Sequence, residues 1–171
     1  VHDNLKDMND VTTSQIYQKG SWTLHMLRGV VGTENFWKGI KIYYHKYRDS
    51  HATVADFRRV MEEVSGKDLS GFFNQWLYKP GTLKYKGNWR FDATKKQVTI
   101  NLDQVQSDGS LFKMPIEIAV YYPGQAKPQM QTVQADAKSN VFSINVSGEP
   151  EKVILDPDMW ILMDADFKKK E

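Results

Sequence analysis

Four histidines, a pair of adjacent glutamates, a late group of aspartates and one tyrosine shortly before a glycine are the residues whose types could do chemistry in this 171-residue chain. A metal is the first chemistry to test. A helix that carries His and Glu four residues apart presents both toward a single ion. His2, His25, His45 and His51 are separated by 23, 20 and 6 positions, and none begins a His-Glu-x-x-His pattern. The chain is therefore expected to hold no metal and no cofactor of its own, with His25 and His45 as partly buried or surface helix residues. Asp156, Asp158, Asp164 and Asp166 could be read as a calcium cluster, because hard cations collect carboxylates, but their spacing is not that of an EF-hand loop. "LDPD" reads as a turn between two strands. Glu62 and Glu63 are adjacent, point about a third of a turn apart on a helix, and form no catalytic pair by themselves. No glycine pattern supplies the tight turns of a serine nucleophile elbow, a phosphate loop or a dinucleotide fingerprint.

Tyr17 and Gly20 remain. A glycine inside a helix costs roughly 0.5–1 kcal/mol relative to alanine. Gly20 lies one turn after Tyr17 on the same face, where a missing side chain lets another backbone or a ligand come close to the phenol. The bland alternative is a core tyrosine on an apolar stripe.

The elements that must position these residues change period halfway along the chain. From Thr13 to about Tyr78 the apolar residues recur at helical spacing. Thr13 or Ser14 can cap a first helix with Tyr17, Leu24, Leu27 and Val31 on one stripe and Gly32 as its stop. Thr33 then caps a second helix with a stripe of Phe36, Ile40, Tyr43 and Tyr47. A third opens on Thr53 and Asp56, a capping box with Asp for the usual Glu, and ends near Gly66. Its "FRR" and "MEE" read as a solvated face. A fourth begins at Asp68 and buries Phe72, Phe73, Trp76 and Leu77.

After Gly81 the period is two, as in Val98, Ile100 and Leu102, in Met114, Ile116, Ile118 and Val120, and in "VFSINV". Six or seven short strands separated by turn signals predict an antiparallel β-sandwich. The fold class is thus α+β in two parts: helices over 1–80, a β-sandwich over 82–166, and a charged tail at 167–171 that contains three consecutive lysines.

Composition excludes several partner classes. The chain is 40% hydrophobic and 26% charged, with a formal net charge of +2. Acids and bases are spread evenly and leave no footprint for nucleic acid or an anionic membrane. No run approaches the roughly 18 apolar residues of a membrane span, and the polar first residues are no signal peptide. Zero cysteines exclude disulfides and leave the compartment open. Val1 in place of Met points to a processed or excised piece of something longer.

The stretch from Ile16 to Gly81 closely resembles the closing helices of the catalytic domain in the aminopeptidase N and leukotriene hydrolase family of zinc metallopeptidases. The likeness rests on Tyr-x-Lys-Gly at Tyr17, Lys19 and Gly20, on a Leu-x-x-Leu-Arg-x-x-x-Gly helix, and on Phe-x-x-Gly at Phe36 and Gly39. Thr-x-x-Asp-Phe, Gly-x-Asp-Leu and Phe-Phe-x-x-Trp follow in the family's order. The later "PIEI" and "VILDP" strands are similar to that family's sandwich domain, so the likeness runs to about Met163.

That resemblance implies a parent enzyme that removes N-terminal residues from peptides bearing a free amino terminus. Its zinc would be held by a His-Glu-x-x-His helix and a downstream Glu, and the water activated there would attack the scissile carbonyl. By the same resemblance, the Tyr17 hydroxyl donates to the developing oxyanion. Lys19 receives no catalytic role. The zinc ligands, the general base and the Gly-x-Met-Glu-Asn element that holds the substrate amine precede the tyrosine in the family and are not found here. The chain therefore reads as the C-terminal piece of such an enzyme, inactive alone and needing the N-terminal part of the catalytic domain as its partner. Helices built to pack on that missing part are expected to self-associate when isolated. The competing reading is a noncatalytic interaction module or the tail of a pseudo-peptidase.

Overall fold

The computed structural model describes residues 15–170, together with Asp7. It divides into two compact units, 1–80 and 81–171; the expected cap at Thr13 or Ser14, and His2, lie outside the described residues.

The first unit is helical. A π-helical turn over Gln15–Lys19 runs directly into α1, Gly20–Val31, followed by α2, Thr33–Tyr47, and α3, Val54–Ser65. The short α4, Ser70–Phe73, passes into a second π-helical turn over Asn74–Tyr78. Gly32 both ends α1 and starts α2. Its φ of 87° suits a residue without Cβ, its N–H donates to the Arg28 carbonyl at 2.9 Å, and its carbonyl accepts from the Phe36 N–H at 2.9 Å. Thr33 is consequently the first residue of α2 and its side chain makes no cap, contrary to expectation.

The third helix does carry its capping box. The Thr53 hydroxyl accepts from the Asp56 N–H at 3.2 Å and the Asp56 carboxylate accepts from the Thr53 N–H at 2.9 Å. At the other end Gly66 takes the left-handed conformation and its N–H donates to the Glu62 carbonyl. Helices α2 and α3 meet at Gly39, where a Cβ would stand only 2.6 Å from the Met61 Sδ and 3.2 Å from a Val64 methyl. A larger residue there would require the Met61 side chain to move. Asp68 precedes the last helix rather than opening it, its carboxylate accepting from the Ser70 N–H at 2.8 Å. Met26, Leu27, Val60, Met61, Phe73 and Trp76 form the buried centre of the unit.

The second unit has seven strands: β1 Leu83–Asp92, β2 Gln97–Gln104, β3 Met114–Tyr121, β4 Gln129–Ala135, β5 Ser139–Asn145, β6 Lys152–Leu155 and β7 Met163–Lys169. They form a four-stranded sheet in the order β5-β2-β1-β7 and a three-stranded sheet in the order β4-β3-β6. Every pair is antiparallel except β1 with β7, which run parallel. Alternation in the sequence reports which face a residue takes but not which way a strand runs. The alternating residues Val98, Ile100 and Leu102 of β2 and Ile116, Ile118 and Val120 of β3 are fully buried, as a core one strand face deep requires.

Candidate functional site

Tyr17 sits in the π-helical turn at the start of the helical unit. It is 68% exposed, which excludes the bland alternative of a core tyrosine. Its predicted stripe splits: Leu27 and Val31 are buried, whereas Tyr17 and Leu24 face outward. A π-turn closes its hydrogen bonds over five residues rather than four, so the residues before Gly20 do not continue the phase of α1.

The ring borders an open groove of about 530 Å³ in the helical unit. Ile16, Tyr17, Gly20 and Leu24, from the π-turn and α1, line it together with Val54 and Phe57 of α3, as do Tyr43, Phe73 and Leu77. The groove is mostly apolar. Phe57 stands edge-on to Tyr43, with ring centroids 5.1 Å apart, and packs against Phe73 at 6.3 Å, so aromatic packing defines this part of its surface. Leu77, expected to be buried, is only partly so.

Two hydroxyls fix the backbone beneath Tyr17. Ser21 Oγ donates to the Tyr17 carbonyl at 2.7 Å, and Thr23 Oγ1 donates to the Lys19 carbonyl at 2.8 Å. Apolar periodicity does not single out either residue, although a Ser or Thr four positions after a carbonyl of interest is a visible signal for such back-bonding. Gly20 has open space around it: a Cβ there would meet nothing within 4 Å. No atom of the described residues makes the close approach expected at that position.

The other candidates have local duties. His25 stands edge-on to Trp22, with ring centroids 5.5 Å apart, and His45 and His51 are exposed. Glu62 is not simply solvated. Its carboxylate accepts from the Leu69 N–H at 3.0 Å and lies 3.7 Å from Arg58 Nε, tying α3 to the segment that follows it. Asp156 is buried with φ of 48°, and its two carboxylate oxygens accept from the N–H groups of Trp160 and Ile161, each at 2.8 Å. That is a turn held by a side chain, while Asp158, Asp164 and Asp166 are exposed. Among the described residues no three His, Cys, Asp or Glu side chains are grouped to hold a metal ion, and no helix is long and apolar enough to cross a membrane.

Chemically, the arrangement offers one exposed phenol, an O–H donor, at the edge of an apolar groove. Residues 1–76 match the model of the peptidase family M1 domain. The chain is 30% identical to aminopeptidase N of Escherichia coli over 118 residues, 68% of this chain and 13% of that protein. It is 24% identical to aminopeptidase N of Haemophilus influenzae over 181 aligned positions, 96% of this chain and 21% of the relative. In structure it resembles Legionella pneumophila aminopeptidase A, solved in complex with aspartic acid, with a TM-score of 0.81 over 95% of this chain and 19% of that one, at 18% identity. The chain thus spans between about a tenth and a fifth of the length of these proteins.

Proposed function

Because this chain is related to the M1 aminopeptidases, we propose that it is the C-terminal piece of such an enzyme and carries one group of its catalytic machinery, the Tyr17 hydroxyl. The parent removes N-terminal residues from peptides with a free amino terminus. Residues 1–80 complete its catalytic domain, and the seven strands over 83–169 form a sandwich domain; Phe167, Lys168 and Lys169, expected in a charged tail, belong to β7 and pair with β1. The implied zinc finds no set of ligands among the described residues. In this reading its site belongs to sequence outside the chain, and what the chain itself contributes is limited to what Tyr17 does.

That contribution follows from the phenol. As a peptide carbonyl becomes tetrahedral, negative charge gathers on its oxygen, and a donor already aimed at that position strengthens its hydrogen bond as the charge develops. The observation that carries the reading is the exposure of Tyr17: its ring stands at the rim of the groove rather than in the core. Alone, the chain is inactive. The uncovered apolar groove is also where isolated copies would associate.

The test is Tyr17→Phe in the full-length parent, assayed on an aminoacyl chromogenic substrate, beside the isolated chain, which is expected to show no hydrolysis. Loss of one preorganised oxyanion donor costs ~10²–10³ in kcat. A folded variant that loses much less than about tenfold would leave the chain as a scaffold or the tail of a pseudo-peptidase.

A further inference from the structure

Tyr17 and its neighbours occupy an unusual backbone. The π-turn ends at Lys19 and the α-helix begins at Gly20, so a seam between two hydrogen-bond spacings lies three residues beyond the phenol. Each of the two hydroxyl bonds crosses that seam. Ser21, in α1, reaches back to the carbonyl of Tyr17 in the π-turn, and Thr23, in α1, reaches back to the carbonyl of Lys19. Serine and threonine bonded to the carbonyl four residues earlier draw that carbonyl out of line and bend a helix. A wide π-turn is favoured by such a distortion, and π-turns recur at functional sites.

The burial of the two residues differs in a useful way. Thr23 is 5% exposed, so its side chain is held by packing and its hydroxyl has one backbone carbonyl to serve. Ser21 is exposed, so its bond can be removed without disturbing the core. Gly20, immediately before Ser21, meets nothing and leaves the two hydroxyls to tie across the seam.

Resting on the reading of Tyr17 as an oxyanion donor, we infer that Ser21 and Thr23 are positioning residues, which hold the π-turn open and thereby set the direction of the Tyr17 hydroxyl. Without them, residues 15–19 relax toward α-helical phase. Tyr17 then turns toward the buried stripe of Leu27 and Val31, away from the groove rim. The phenol is still present but no longer aimed.

Two measurements test this. In the full-length parent, Thr23→Val, which keeps the shape and removes the hydroxyl, is expected to lower kcat about tenfold with KM little changed, because misaiming a reacting group acts on the transition state. Thr23→Ser restores most of the loss. Added to Tyr17→Phe, Thr23→Val costs less than about twofold, because residues acting as one unit are non-additive. Ser21→Ala gives the same pattern at an exposed position and decides the matter if Thr23→Val does not fold. In the isolated chain, amide hydrogen exchange of residues 19–23 changes in Thr23→Val while that of α3 does not. Equal losses from Thr23→Val with and without the Tyr17 hydroxyl, or no rescue by serine, overturn the positioning role. No loss from Tyr17→Phe itself overturns the catalytic reading instead.

Discussion

The two units of the chain complete their cores to different degrees. In the sheet unit the alternating apolar rows of β2 and β3 have no exposure at all, because a strand puts every second side chain on the same face and each row is buried as a whole. In the helical unit Val60 and Met61 are equally buried, yet Ile16, Tyr17, Leu24 and Val54 stand half exposed around one groove. A helix buries only the stripe that its neighbours reach. The sheet unit leaves Val141 and Met159 exposed as well, but among the described residues the helical unit gathers Ile16, Tyr17, Leu24 and Val54 around a single apolar groove. The residue with a proposed chemical role lies on that unfinished face.

If that contrast is right, the same deletion should cost very different amounts in the two units. Ile118, at 0% exposure in β3, should lose about 2–5 kcal/mol of stability on Ile118→Ala, the range for truncating a large core aliphatic. Leu24, 43% exposed on the groove wall, should lose less than about 1 kcal/mol on Leu24→Ala, since much of its surface already meets solvent. Urea unfolding of the isolated chain measures both. Comparable losses would mean that the groove is closed in solution and the contrast false.

A smaller effect concerns how the helical unit holds its ends. Thr53→Ala removes the cap of α3 and is expected to cost about 1 kcal/mol. The reciprocal half of the box adds a pH dependence. Hydrogen bonds from the Thr53 hydroxyl and then its N–H hold the Asp56 carboxyl below the usual carboxylate range. With a pKa lower in the folded state than in the unfolded one, this stabilisation is present above the ordinary Asp value near ~3.9 and is lost as pH falls through the folded value. Thr53→Ala should therefore flatten the acid limb of helix melting followed by circular dichroism. An unchanged limb would show that the box contributes nothing to the helical unit.

What could be read in advance divides along physical lines. The Thr53 and Asp56 box and the stop at Gly66 are local matters of side-chain reach and backbone φ, and both are legible from spacing. The strand faces follow from a period of two. The π-turns at Gln15–Lys19 and Asn74–Tyr78 are not legible, because apolar spacing assumes about 3.6 residues per turn and a wider turn changes the phase without changing residue types. The change of phase separates Tyr17 from the buried Leu27 and Val31 and leaves Leu77 only partly buried. The parallel placement of β7 beside β1 depends on long-range topology. Asp156 shows the same gap at smaller scale: "LDPD" announces a turn, but the carboxylate grip on Trp160 and Ile161 needs the folded loop.

The smallest expected effect tests whether the sheet unit is as self-sufficient as its core implies. Tyr85 in β1 is 2% exposed and its hydroxyl has no hydrogen-bond partner among the described residues. A buried polar group without a partner costs roughly 1–3 kcal/mol, so Tyr85→Phe, which keeps the ring, should raise stability or leave it unchanged. Burial also pushes the phenol's pKa up. A pKa raised in the folded state leaves stability intact below the ordinary tyrosine value near ~10 and removes it as pH climbs toward the folded value, since only the unfolded chain then ionises freely. Tyr85→Phe should accordingly soften the loss of stability above about pH 10. The contrast between the units sharpens if the substitution is neutral or stabilising both in the isolated chain and in the full-length parent. It breaks if Tyr85→Phe destabilises the parent alone, for the hydroxyl would then have found its acceptor in sequence outside this chain, and the sheet unit, like the helical one, would be an unfinished surface.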